Sequence, residues 1–186
     1  MVKTINPALQ SGTRIINTAT ASTLEDFFYD ELREMYWAEQ QIVKFFPKII
    51  KSLKSEKAKD IFNYHFKLMQ THLKKLEIIF SLIKREPGSK RCIPVNEMLE
   101  KLDFITEQPD QNSFTKNTKL IVAGQEIQHF KTAGYESLGQ LASILGLLKI
   151  EKMIETLFVE ESEMYGALVA VNDSEMAALL YRRVLS

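Results

Sequence analysis

Apolar side chains recur along this chain at alternating steps of three and four residues, the spacing that lines one face of a helix. The first stripe reads Phe28, Leu32, Met35, Glu39, Ile42, Phe46, Ile49 and Leu53; the second reads Ile61, His65, Leu68, His72, Leu76, Ile79 and Ile83. A third runs Leu120, Ala123, Ile127, Phe130, Gly134, Leu138, Leu141 and Leu145, and a fourth Ile150, Met153, Leu157, Glu160, Met164, Leu168 and Val171. No segment alternates with the period of a strand. The pattern predicts an all-α protein in which four long helices turn these stripes toward a common core.

Local signals set the expected boundaries. Thr23 with Glu25 and Asp26 behind it opens a helix over about residues 24–54, and Pro47 inside it predicts a kink or a break. Ser55 caps a second helix over about 56–85, which Pro87 and Gly88 end. The stretch from Ser89 to Asn112 is a long connection with one short helix, roughly Val95 to Glu107. Ser113 opens a third long helix over about 114–145, with Gly146 as its terminator, and the fourth covers about 148–171. Asn172, Asp173 and Ser174 predict a break, followed by a short amphipathic helix over about 175–184. Gly124, Gly134 and Gly139 would each weaken a lone helix by about 1 kcal/mol against alanine, so close helix packing is expected there. The expected architecture is a four-helix bundle domain over 23–186, with a short helix in the central connection and a short C-terminal helix. Residues 1–22, rich in Thr, Ser, Asn and Ala, read as a flexible tail.

Three ionisable residues fall in the middle of stripes that should bury only apolar groups: Glu39, His72 and Glu160. A carboxylate in such a place must be protonated, paired or bound to a metal, because an isolated buried charge is too costly. If the register of the fourth helix slips, Glu161 or Glu163 becomes the inward acid instead.

Composition narrows the function. The 186 residues carry 24 basic and 24 acidic side chains, a net charge of zero that gives no electrostatic footprint for nucleic acid or an anionic membrane. One cysteine, Cys92, excludes an internal disulfide framework and fits a reducing compartment, where a structural role is expected of it. No segment approaches the roughly 20 apolar residues of a membrane span, and the first residues lack a signal-peptide core, so a cytoplasmic location is expected. There is no nucleophile elbow, phosphate-binding glycine loop or CxxC pair. Tyr29, Tyr36 and Trp37 read as packing aromatics, and Lys67, Lys74 and Lys75 as a solvated face.

The segment TLEDFFYDELREMYWAEQQIVKFFPKI closely resembles the first helix of the YciE/YciF family of bacterial ferritin-like proteins. The likeness continues through HFKLMQTHLKKLEIIF, Lys90-Arg91-Cys92, GQEIQHFKTAGYESL and the stretch from Thr156 to Glu161, and so covers about residues 23–171. The resemblance implies a ferritin-like bundle, usually dimeric and associated with bacterial stress responses. It also implies an interior built like a di-iron carboxylate centre, with Glu and His ligands from facing helices. Against that layout Glu39, His72, His129 and Glu160 are kept, whereas Leu68, Gln128, Lys131, Val159 and Met164 stand where acidic residues are usual.

These departures remove charge that two metal ions depend on, and Lys131, if it faces inward, repels metal. The reading is therefore a ferritin-like, stress-associated protein with a degenerate and non-catalytic di-metal centre, and no cofactor. It acts as a homodimer or through a protein partner, without nucleic acid or membrane. The alternative is one iron or zinc ion held by Glu39, His72 and Glu160, with His65, Gln128 or His129 in support. That ion would serve a metal-dependent oxidase, a peroxide-consuming protein or a metal buffer. Gln128 is alternatively expected to hydrogen-bond Glu39 or Glu160 across the bundle in place of metal.

Overall fold

The computed structural model describes residues 18–109 and 113–184, and the side chains of 22–109 and 113–177 within them. Five helices carry these residues: α1 (Thr18–Ser52), α2 (Glu56–Leu82), α3 (Ile93–Glu107), α4 (Ser113–Ile144) and α5 (Leu148–Val184). The short loops between α1 and α2, and between α4 and α5, make two helical hairpins. Around the bundle α1 touches α2, α2 touches α5, α5 touches α4 and α4 touches α1, while α3 lies across α1 and α4 within the long connection. One long crossover between two hairpins is the connectivity of ferritin-like bundles.

The stripe predicted for α1 is buried along its whole length, from Phe28 through Glu39 to Leu53. On α2 the inward face is Ala58, Phe62, His65, Met69, His72, Leu76 and Ile79, so Phe62 and Met69 take the places expected of Ile61 and Leu68. Ser55 caps α2 by accepting from the Ala58 N–H at 3.2 Å. This helix ends three residues earlier than expected. Lys84 takes a left-handed φ of 56° and the Arg85 N–H bonds back to the Phe80 carbonyl, so the chain turns before Pro87 and Gly88. Gly146, with φ 71°, ends α4 in the same manner, as its sequence position predicts.

Four expectations need correction. Thr23 lies inside α1, which begins at Thr18, so residues 18–22 of the expected tail are helical and residues 1–17 lie outside the described residues. Of the kink or break expected at Pro47, the break is absent: α1 runs through Pro47, whose ring sits on the exposed side. The break at 172–174 is absent, since α5 continues through it. Cross-helix contacts hold this stretch: the Ser55 hydroxyl donates to Glu175, and Lys57 Nζ donates to Ser174 Oγ at 2.9 Å. The weak helix propensity of Asn and Asp amounts to less than about 1 kcal/mol each, which such anchoring overrides. Close packing accounts for two of the three glycines in α4. A Cβ on Gly124 would lie 3.0 Å from the Phe62 ring and one on Gly134 would meet the Met35 methyl, whereas at Gly139 it would only touch Ile154 at 3.7 Å.

Candidate functional site

All four bundle helices send polar side chains into one layer of the interior. Glu39 comes from α1, His65 and His72 from α2, Gln128, Lys131 and Tyr135 from α4, and Glu161 from α5; none is more than 1% exposed. Apolar clusters sit on either side. One contains Ile42, Phe46, Phe62, Met69 and Ile127, the other Leu32, Leu76, Leu138 and Leu157. The layer is thus sealed at both ends by hydrocarbon, and every charge in it must be answered from within.

Lys131 is the centre of that answer. Its Nζ lies 2.9 Å from Glu39 Oε1 and 2.5 Å from Glu161 Oε1, bridging α1 and α5 from α4. The Tyr135 hydroxyl, one turn further along α4, donates to Glu39 Oε1 at 2.7 Å. His72 Nδ1 stands 2.8 Å from Glu161 Oε1 and 3.7 Å from Glu39 Oε1, with its N–H direction off the line to either oxygen, so the contact is ionic rather than an aligned hydrogen bond. Its other nitrogen, Nε2, meets Glu160 Oε2 at 2.9 Å. Glu160 is half-buried and also accepts from Lys75 Nζ at 2.6 and 2.9 Å, which carries the network out to solvent. His65 Nε2 lies 3.4 Å from Glu161 Oε2, beyond good hydrogen-bonding geometry.

Protonation follows from these contacts. Burial pushes the Glu39 carboxyl up, but Lys131 and His72 outweigh it and hold Glu39 below the usual range. At Glu161 burial is likewise opposed by Lys131 and the two histidines, and the carboxyl falls well below that range. Burial works against the charge on Lys131, yet Glu161 and Glu39 beside it raise its pKa. His72 also resists burial, because its contacts to Glu161 and Glu39 lift it to about 9. Burial wins only at His65, which is pushed down toward the neutral form. Near neutral pH the fully buried layer therefore holds two cations, Lys131 and His72, against two anions, Glu39 and Glu161.

The sequence reading placed Glu39, His72 and His65 in this layer correctly. Glu160 is corrected: Glu161 is the residue on the core face of α5, in the order Ile154, Leu157, Glu161, Met164, and Glu160 reaches His72 from the rim. His129 is exposed, packs its ring 4.2 Å from that of Tyr165, and takes no part in the layer. Gln128 is in the layer, but neither of its amide atoms finds a hydrogen-bond partner, so it does not bridge to Glu39 or Glu160. Lys75, expected on a solvated face, is half-buried against Glu160. Lys131 does face inward. Tyr135 was missed, although stepping Gly124, Gln128, Lys131, Tyr135, Leu138, Ala142 along α4 gives the same four-three rhythm as the other helices. Among the described residues, the atoms able to share one metal ion are those of Glu39, His72 and Glu161, all within 4.8 Å of one another.

A four-helix bundle with one long crossover, carrying a buried ionisable centre supplied by all four helices, is the class of protein defined here. The chain belongs to the family described as Domain of unknown function (DUF892), which matches residues 23–180. It is 29% identical to protein YciF of Escherichia coli K12 over 143 residues, which is 75% of this chain and 84% of that protein. The crystal structure of the E. coli stress protein YciF superposes with a TM-score of 0.79 at 22% identity, covering 83% of this chain and 97% of the other. YcfI from Rhodopseudomonas palustris gives a TM-score of 0.75 at 24% identity, with coverage of 84% and 96%. A protein from Xanthomonas campestris pv. campestris gives 0.66 at 16% identity, with coverage of 87% and 98%. The all-α bundle and the likeness to YciF-type proteins expected from the sequence are both borne out. No helix among the described residues is long and apolar enough to cross a membrane.

Proposed function

We propose that this chain is a YciF-like, stress-associated cytoplasmic bundle protein whose buried centre is structural rather than catalytic. Its role rests on assembly as a homodimer or on binding other proteins. The observation that carries this reading is the Lys131 ammonium seated between Glu39 and Glu161. Two divalent ions would bring four positive charges into a layer whose carboxylates are Glu39, Glu161 and, at the rim, Glu160, and Lys131 already neutralises part of that set. Gln128 is a neutral ligand and Met164 a thioether, neither of which replaces a carboxylate for hard cations. These residues do not fit a dinuclear centre. The association with stress rests on the likeness to YciF, which is described as a stress protein.

The convergence of Glu39, His72 and Glu161 supports a second reading, a single iron or zinc ion serving an oxidase, a peroxide-consuming protein or a metal buffer. One preparation separates the two. The untagged chain, purified without chelator from cells supplied with iron, manganese and zinc, is expected to hold far less than one ion per chain, to leave hydrogen peroxide unconsumed and to elute as a dimer. Near-stoichiometric metal that disappears in Glu39→Ala and Glu161→Ala would overturn the structural reading.

A further inference from the structure

We infer that Lys131 is a built-in substitute for a metal ion: its ammonium and a single divalent cation are mutually exclusive occupants of a site formed by Glu39, His72 and Glu161. This rests on the reading of the centre as metal-free and structural, and adds that the site remains competent once the lysine charge is gone.

Three observations carry it. Lys131 binds one oxygen of each carboxylate, leaving Glu39 Oε2 and Glu161 Oε2 buried without any hydrogen-bond partner. A buried carboxylate with one satisfied and one orphaned oxygen is an incomplete arrangement, and a divalent cation that accepts the oxygen lone pairs would complete it. Second, the donor atoms of Glu39, His72 and Glu161 already lie within 4.8 Å of one another, on three different helices, so no backbone movement is needed to bring two oxygens and one nitrogen around a common point. Third, the surroundings hold these ligands in place. Tyr135 donates to Glu39, and His72 is fixed through its Nε2 by Glu160, which is itself tied to Lys75. Outer hydrogen bonds of this kind orient ligands before metal arrives.

Two carboxylates and an imidazole make a set of hard and borderline donors suited to Zn2+ or Co2+, with water as a fourth ligand. What excludes such an ion in the wild type is the Lys131 ammonium less than 3 Å from both carboxylates. With that charge gone, an ion takes the place of the proton on His72 Nδ1, which is released to solvent. Removing that charge is expected to tighten divalent-ion binding by at least about 100-fold, given the strength of Coulomb interactions at this separation in a protein.

The test uses the full chain as wild type, Lys131→Met and Lys131→Gln, each stripped with chelator and then dialysed against zinc or cobalt. Metal per chain is counted, the cobalt visible spectrum recorded, and the thermal midpoint measured with and without metal. The expected result is no retained metal and no change in midpoint for wild type. Either variant should retain about one ion per chain, with tetrahedral cobalt bands and a midpoint raised by metal; adding Glu39→Gln should abolish all three. A variant that is unfolded in chelator but refolds with zinc supports the inference equally. Variants that fold yet hold no metal, or that metal does not rescue, overturn it while leaving the metal-free structural reading intact. Stoichiometric metal in the wild type would instead overturn that underlying reading.

Discussion

Replacing Lys131 with methionine in the presence of chelator is the sharpest perturbation of the buried layer. The shape of the side chain is nearly kept, so the loss is one of charge. In the wild type Lys131 and His72 balance Glu39 and Glu161, whereas in the variant two buried anions face one buried cation. The attraction between Lys131 and Glu39 at 2.9 Å amounts to about 6 kcal/mol at an effective dielectric constant of 20. Part of this is offset by the lysine's own desolvation, and breaking a buried pair from one side typically destabilises by about 3–5 kcal/mol. With a urea m-value of about 2 kcal/mol per molar, the unfolding midpoint should fall by roughly 2 M. Glu161→Gln should also destabilise, by leaving Lys131 with a single carboxylate. The double variant restores equal numbers of positive and negative charges, so the two losses should fail to add by about 2 kcal/mol or more in a double-mutant cycle. A loss below about 1 kcal/mol for Lys131→Met, or simple additivity in the cycle, would refute the assignment of Lys131 as the counter-ion of this layer.

The protonation of His72 makes stability depend on pH. The groups facing it are Glu39 on α1, Glu160 and Glu161 on α5, and Lys131 and Tyr135 on α4, with Lys75 on its own helix reaching Glu160. Its pKa is raised to about 9, so its contribution is complete below about 6.5 and is lost as pH rises through 9. Urea unfolding between pH 6 and pH 9.5 should show a decline of about 3 kcal/mol that His72→Gln flattens; an unchanged slope in that variant would refute the assignment. Gly124→Ala should cost about 1–2 kcal/mol because its methyl would press on the buried Phe62 ring, whereas Gly139→Ala should gain up to about 1 kcal/mol. Equal effects at the two positions, measured by thermal unfolding, would show that α4 packs differently. Lys84→Gly should stabilise by about 1 kcal/mol, since Lys84 holds a left-handed conformation while exposed to solvent. A loss of stability there would mean that the lysine side chain contributes more than its backbone strain removes.

Two of the places where the sequence pattern misled, on α4 and α5, lie in the buried layer. Along α1 a single acid is flanked by seven apolar residues, and their register leaves Glu39 no other face to occupy. On α5 the run Glu160, Glu161, Ser162, Glu163 blurs the register. From Leu157 the inward step to Met164 passes through either Glu160 or Glu161, since three plus four and four plus three close equally well. The choice is made across the bundle, where Lys131 meets Glu161. On α4 a stripe chosen for hydrophobicity drifts to Phe130, Gly134, Leu141 and Leu145, because it avoids burying a lysine. The observed face keeps Lys131, Tyr135 and Ala142 instead, at the same helical spacing. Hydrophobic periodicity counts each helix alone, whereas a buried charge is favourable only with its partner on another helix. The two slips therefore share one cause, and each supplied the information the other lacked. A carboxylate on one core face calls for a cation on the facing helix, and Lys131 is the basic residue of α4 that the four-three rhythm carries inward.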